Sequence, residues 1–153
     1  MPIVALITHH SAHVIDRVAE KFPAQKIALC HLGIETADKD EKAFRDFVNI
    51  LPLARRPNIM AKASALPAYT SEAYPFRALP PYIRKVYDAF GPQRMVWGTD
   101  LGRLHCTYKQ AIALVTKNSP GYPPRTRNGS WPARCANGWG GTFERRARPG
   151  GQQ

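Results

Sequence analysis

A chain of 153 residues with 22 Lys and Arg against 11 Asp and Glu, a net charge of +11, invites a polyanion-binding reading. Counted by segment the invitation weakens: residues 1–116 hold 15 basic and 10 acidic residues, or +5, whereas residues 117–153 hold 7 basic residues against Glu144 alone, or +6. Cys30, Cys106 and Cys135 form neither a CxxC pair nor an even-numbered framework, which argues against a disulfide scaffold or zinc knuckle and fits a reducing, cytoplasmic setting.

The N-terminal MPIVALITHH has no basic leader and no small-residue cleavage site, so a signal peptide is not expected. No run approaches the roughly 20 apolar residues that a membrane span needs. Ile3 to Ile7 is a continuous apolar run with β-branched members, the pattern of a strand buried on both faces. Ser11 is placed to cap the next helix, in which Val14, Ile15, Val18, Ala19 and Phe22 form one apolar stripe before Pro23. Ile27 to Cys30 makes a second buried strand, running into His31-Leu32-Gly33, where glycine permits a sharp turn.

Asp38 and the DKDEK stretch open a second helix, with Phe44, Phe47, Val48 and Leu51 on one face before Pro52. Asn58 to Ala63 is a third strand, and Lys62 inside it requires a partner if it is buried. A proline-rich loop from Ala65 to Pro81 follows, long enough to be a lid or a disordered connection. Tyr82, Ile83, Val86, Tyr87 and Phe90 trace a third helix, stopped by Gly91-Pro92. Met95 to Trp97 is a fourth strand leading into Gly98-Thr99-Asp100, and Tyr108 to Val115 begins a fourth helix. This β-α-β-α-β-α-β-α order predicts parallel strands joined by crossovers, with chemistry at the strands' C-terminal ends. The polar residues there are His9, His10, His31, Ser64 and Asp100.

ALCHLG at 28–33, NIMAKASAL at 58–66 and above all FGPQRMVWGTDL at 90–101 resemble the amidohydrolase-related (amidohydrolase 2) family of metal-dependent (β/α)8-barrel hydrolases and decarboxylases. A whole barrel of this kind takes about 250 residues. The resemblance therefore implies an α/β fold in which residues 1–116 are a partial TIM barrel, strands five to eight, the C-terminal half. It also implies a divalent metal, zinc by family habit, and a small-molecule substrate such as an organic acid or aromatic breakdown product.

By the same resemblance His31 ends strand six, where an imidazole can orient water or move protons, and Asp100 ends strand eight, where a carboxylate binds the metal or accepts a proton. The remaining metal ligands, including the family's His-x-His pair, are missing from this sequence, so the chain by itself is expected to be inactive. It would be completed by self-association or by a separate N-terminal half. Arg77 in the long loop is a weak candidate for meeting an anionic substrate, with a solvated loop charge as the plainer reading. Tyr69, Tyr74 and Phe76 belong either to a lid or to a loop docked on the rim. Lys62 either holds a carboxylate beneath the barrel mouth or serves in a structural ion pair. The His9-His10-x-x-His13 cluster has metal-like spacing, but at a helix start such clusters are more often unliganded.

From Lys117 onward the Gly-, Pro- and Arg-rich sequence reads as a disordered basic tail. Shifting the reading frame by one base there allows E-L-P-W-L-P-P-E-D-K-E-W-I-M-A-R-A-L-C-E-W-L-G-W, which resembles the family's closing helix. Residues 117–153 are accordingly expected to be a frameshift product. Two alternatives remain at this point: a nucleic-acid-binding module using the Arg-rich tail, and a complete small α/β ligand-binding domain.

Overall fold

The computed structural model describes residues 2–117. The expectation of a disordered, frameshifted tail falls, apart from Lys117, outside the described residues. Four strands, β1 (Ile3–Ala5), β2 (Ile27–Leu29), β3 (Ile59–Ser64) and β4 (Met95–Gly98), form one parallel sheet in the order β1-β2-β3-β4. Ile3 pairs with Ile27 and Ile27 with Ile59, while Ala61 pairs with Met95. The helices α1 (Ala12–Lys21), α2 (Asp40–Phe44), α3 (Pro80–Phe90) and α4 (Tyr108–Thr116) lie between or after them.

Side chains alternate across each strand, so register decides which face each residue serves. Ala5, Ile27, Leu29, Ile59, Ala61, Ala63 and Met95 join one core with Ile15 and Ala19 of α1, Ile83 and Val86 of α3, and Leu114 of α4. Each fully buried Ile or Leu here contributes roughly 1.5–3 kcal/mol. The opposite face is covered only at its centre, where Ala28 and Met60 are buried. Towards β1 it opens to solvent: Val4 is 62% exposed and Leu6 65%.

That exposure corrects the expectation of a first strand buried on both faces. β1 is an edge strand, and among the described residues no strand pairs with its outer side. Apolar pattern reports the intended environment of a strand, and does not report whether the covering layer is at hand.

The helices follow the predicted stripes with local departures. In α1 the buried residues are Ala12, Ile15 and Ala19, whereas Val14 and Phe22 are exposed. Ser11 occupies the N-cap position without a side-chain cap bond, because a 3-10 turn over His9–Ser11 already feeds the helix. The second predicted helix is split into α2 and a 3-10 segment, Phe47–Arg55, that runs through Pro52. The tighter winding moves Val48 to the surface while Phe44, Phe47, Ile50 and Leu53 stay buried. Gly91, at φ 74°, closes α3 where a side chain would be strained.

The long connection after β3 is packed. A 3-10 turn over Leu66–Tyr69 buries Tyr69, and Phe76 and Leu79 are buried further on. Thr70 Oγ1 and the Ser71 amide both donate to Asp40 Oδ1, at 3.0 and 2.8 Å, tying this connection to the start of α2. It is a rim segment. Among the described residues no helix is long and apolar enough to cross a membrane.

Candidate active site

Three strands end in the same backbone device. After β2, β3 and β4 the chain turns through the left-handed region at His31 (φ 50°), Ala65 (φ 57°) and Asp100 (φ 53°). A left-handed conformation costs a non-glycine residue roughly 1–2 kcal/mol, so its recurrence at three strand ends marks positions held by their surroundings. The consequence is convergence: His31 Nε2 lies 3.5 Å from Asp100 Oδ2 across two strand ends, although β3 runs between them.

The protonation of His31 follows from its other side. Nδ1 is 3.3 Å from the Ser64 carbonyl and 2.9 Å from Ser64 Oγ. The carbonyl can only accept and favours a ring proton on Nδ1, while the Ser64 hydroxyl can donate or accept; with the proton on Nδ1, Nε2 is the nitrogen left to face the carboxylate. The His31 side chain is 12% exposed and that of Asp100 39%. Burial pushes the His31 imidazole below its ordinary value; the Ser64 carbonyl and Asp100 pull it back up, while Arg103 and Lys62 add to the depression. A largely neutral imidazole beside an open carboxylate can take a proton from water.

Two cations flank the pair. Arg103 donates from Nη1 to Tyr69 Oη at 2.7 Å and from Nη2 to the Thr36 carbonyl at 3.0 Å, and its guanidinium lies 4.8 Å from the centre of the Tyr69 ring. Lys62 is half-buried on the open face, with Nζ 3.9 Å from Cys30 Sγ. Neither forms an ion pair among the described residues. The predicted carboxylate partner of Lys62 is thus not found there, and the open face, where water can reach the ammonium, is the reason it is tolerated.

The strand-end residues named from sequence divide accordingly. His31, Ser64 and Asp100 meet. His9 lies beside them, buried, with Nε2 3.1 Å from the Leu32 carbonyl. His10 points away towards Asp46, 3.6 Å distant, and His13 bonds to the His10 carbonyl. Arg77 is exposed, and no hydrogen bond or ion pair among the described residues joins it to His31 or Asp100. Arg103 and Tyr69 were not singled out as site residues. The signal for Arg103 is its place three residues beyond the strand-end Asp100, within reach of the same mouth.

A divalent metal would find one imidazole nitrogen and one carboxylate oxygen here. Zinc takes about four ligands, and no group of three or more His, Cys, Asp or Glu side chains able to hold a metal occurs among the described residues. The residues present therefore do not make a complete metal site.

Comparison with known proteins supplies the context. The family described as amidohydrolase matches residues 1–139. Two crystal structures of an amidohydrolase from Burkholderia multivorans share the fold, one with bound HEPES and one with bound zinc. Both are 21% identical to this chain, with TM-scores of 0.71 and 0.72, and each alignment covers 89% of it. They are covered over 52% and 51% of their own length, so the chain spans about half of these structures. No curated protein matches the chain. These likenesses favour the barrel half over the nucleic-acid module or the complete small domain.

Proposed function

The chain belongs to the amidohydrolase family, and from that premise we propose that residues 1–116 are strands five to eight of a metal-dependent barrel hydrolase or carboxy-lyase acting on a small organic acid. His31 and Asp100 are its share of the active site. The observation that carries this reading is His31 Nε2 facing Asp100 Oδ2 at 3.5 Å, at the C-terminal ends of parallel strands.

In this reading His31 is the proton acceptor. Ser64 holds Nδ1–H, so the basic nitrogen cannot rotate away from the mouth, and Asp100 stabilises the imidazolium that forms. Were further ligands to complete the site, Asp100 would be the carboxylate that holds a divalent cation, which would supply acidified water. Lys62 and Arg103 supply positive charge with no ion-pair partner among the described residues, which suits a substrate bearing a carboxylate.

The open face around Val4 and Leu6 marks where completing strands belong, from a second copy or from an N-terminal half. The test uses the full chain alone and co-expressed with the N-terminal half of the Burkholderia enzyme. It follows ring opening of a lactone acid and carbon dioxide release from an aromatic hydroxy acid in buffer containing zinc. The expected result is turnover only in the complemented protein, lost in Asp100→Asn. Turnover that survives Asp100→Asn, or carboxylate affinity unchanged in both Lys62→Met and Arg103→Met, would overturn the assignment.

A further inference from the structure

The turn that delivers His31 is unusually constrained. His31, Leu32 and Gly33 are all left-handed, at φ 50°, 53° and 70°, and only the last is a glycine. Two successive non-glycine residues in this region are strained, so something must hold the turn shut. Leu32 is fully buried, which fixes its side chain, and the Ile34 amide returns to the His31 carbonyl at 3.1 Å. Those contacts leave the carbonyl of Leu32 in the interior, needing a donor.

His9 supplies it. The ring stands on the 3-10 turn after β1, is 6% exposed, and places Nε2 3.1 Å from Leu32 O. Because the carbonyl only accepts, Nε2 carries the proton. Burial lowers the basicity of this imidazole, so it stays a neutral donor. Its orientation is fixed from two sides: Phe47 meets the ring edge-on with centroids 5.8 Å apart, and Gly33 leaves so little room that an added Cβ would come within 3.3 Å of His9 Cδ2.

We propose that His9 is a positioning residue for His31: by donating Nε2–H to Leu32 O it locks the left-handed His31-Leu32-Gly33 turn, and so aims His31 Nε2 at Asp100. The site is thereby tied to β1, a strand that contributes no group to the His31–Asp100 pair. The role rests on the reading of His31 as the working base, but its test reads geometry and not turnover. Failure of the hydrolase assignment would leave it standing.

Two variants of the full chain separate the hydrogen bond from mere filling of space. His9→Gln keeps an amide donor at similar reach, and His9→Leu keeps bulk without a donor. Side-chain nitrogen NMR of His31 is the readout, since a ring held by Ser64 gives the Nδ1–H tautomer pattern and a released ring gives averaged shifts. The expected result is averaging in His9→Leu, with the Nδ1–H pattern restored in His9→Gln. A folded His9→Leu with His31 signals unchanged would overturn the proposal, and so would His9→Gln behaving like His9→Leu. Should His9→Leu not fold, the wild-type protein decides: a slowly exchanging His9 Nε2–H with cross-peaks to Leu32 supports the lock, and rapid exchange of that proton refutes it.

Discussion

The two ends of the sheet are built on opposite terms. Where the strands begin, polar groups are matched to partners. Asn58, buried just ahead of β3, points its amide at the carbonyls of Ala19, Phe22 and Gln25 and so closes the end of α1. Arg94, ahead of β4, donates to the Arg56 and Ile59 carbonyls, and Asp16 is gripped by Arg55 and Arg56. Where the strands end, three turns pass through the left-handed region, two cations form no ion pair among the described residues, and an imidazole faces a carboxylate. The first end is arranged for stability. The second keeps unresolved strain and charge, which is what a site must do if a ligand is to resolve them.

Substitutions at the two ends should therefore fail in different ways. The largest effect falls on the chemistry: in the complemented protein, Asp100→Asn and His31→Asn lower kcat/KM by about 10²–10⁴-fold. Because Asn accepts the left-handed conformation readily, Asp100→Asn leaves the melting temperature of the chain unchanged or slightly higher. A matching loss of stability would erase the distinction between the ends.

Next comes Asn58→Leu, which strips three carbonyls of their donor and lowers unfolding free energy in urea by about 1–3 kcal/mol without moving the His31 ring signals. Asp16→Asn gives a smaller loss that shrinks further in high salt, because Arg55 is largely exposed; its carboxyl is held far below the usual range by the Arg56 and Arg55 guanidinium groups. Comparing urea midpoints at low and high ionic strength checks this.

The smallest effect is on pH. Folding lowers the affinity of His9 and His31 for protons from an ordinary value of 6.5. Below that pH the unfolded chain binds protons the folded chain refuses, so stability is complete above about 6.5 and declines as the pH falls. His9→Gln should flatten the decline by removing one contributor. A stability that instead rises on acidification would contradict the burial of both rings.

Much of this was legible from sequence because strands and their ends announce themselves locally. ALCHLG and MVWGTD each join an apolar run to a polar terminus, and His31 and Asp100 do converge as those words imply. What sequence did not carry was the set of partners reached through space. Ser64 was visible as a strand end, but its hold on His31 Nδ1 requires the β2–β3 register. Tyr69 read as a loop aromatic, yet it is buried and bonded to Arg103. The exposed valines have different causes: Val4 lies on an edge strand whose covering layer is absent among the described residues, whereas the 3-10 winding of Phe47–Arg55 turns Val48 outward.

That edge has a consequence for the isolated chain. An unpaired parallel edge beside water-exposed Val4 and Leu6 is a surface that chaperones bind and aggregates recruit. When such an edge is left open, the time it spends unoccupied depends on concentration and encounter rate. Isolated, the described half would therefore gain solubility from any strand that pairs with β1.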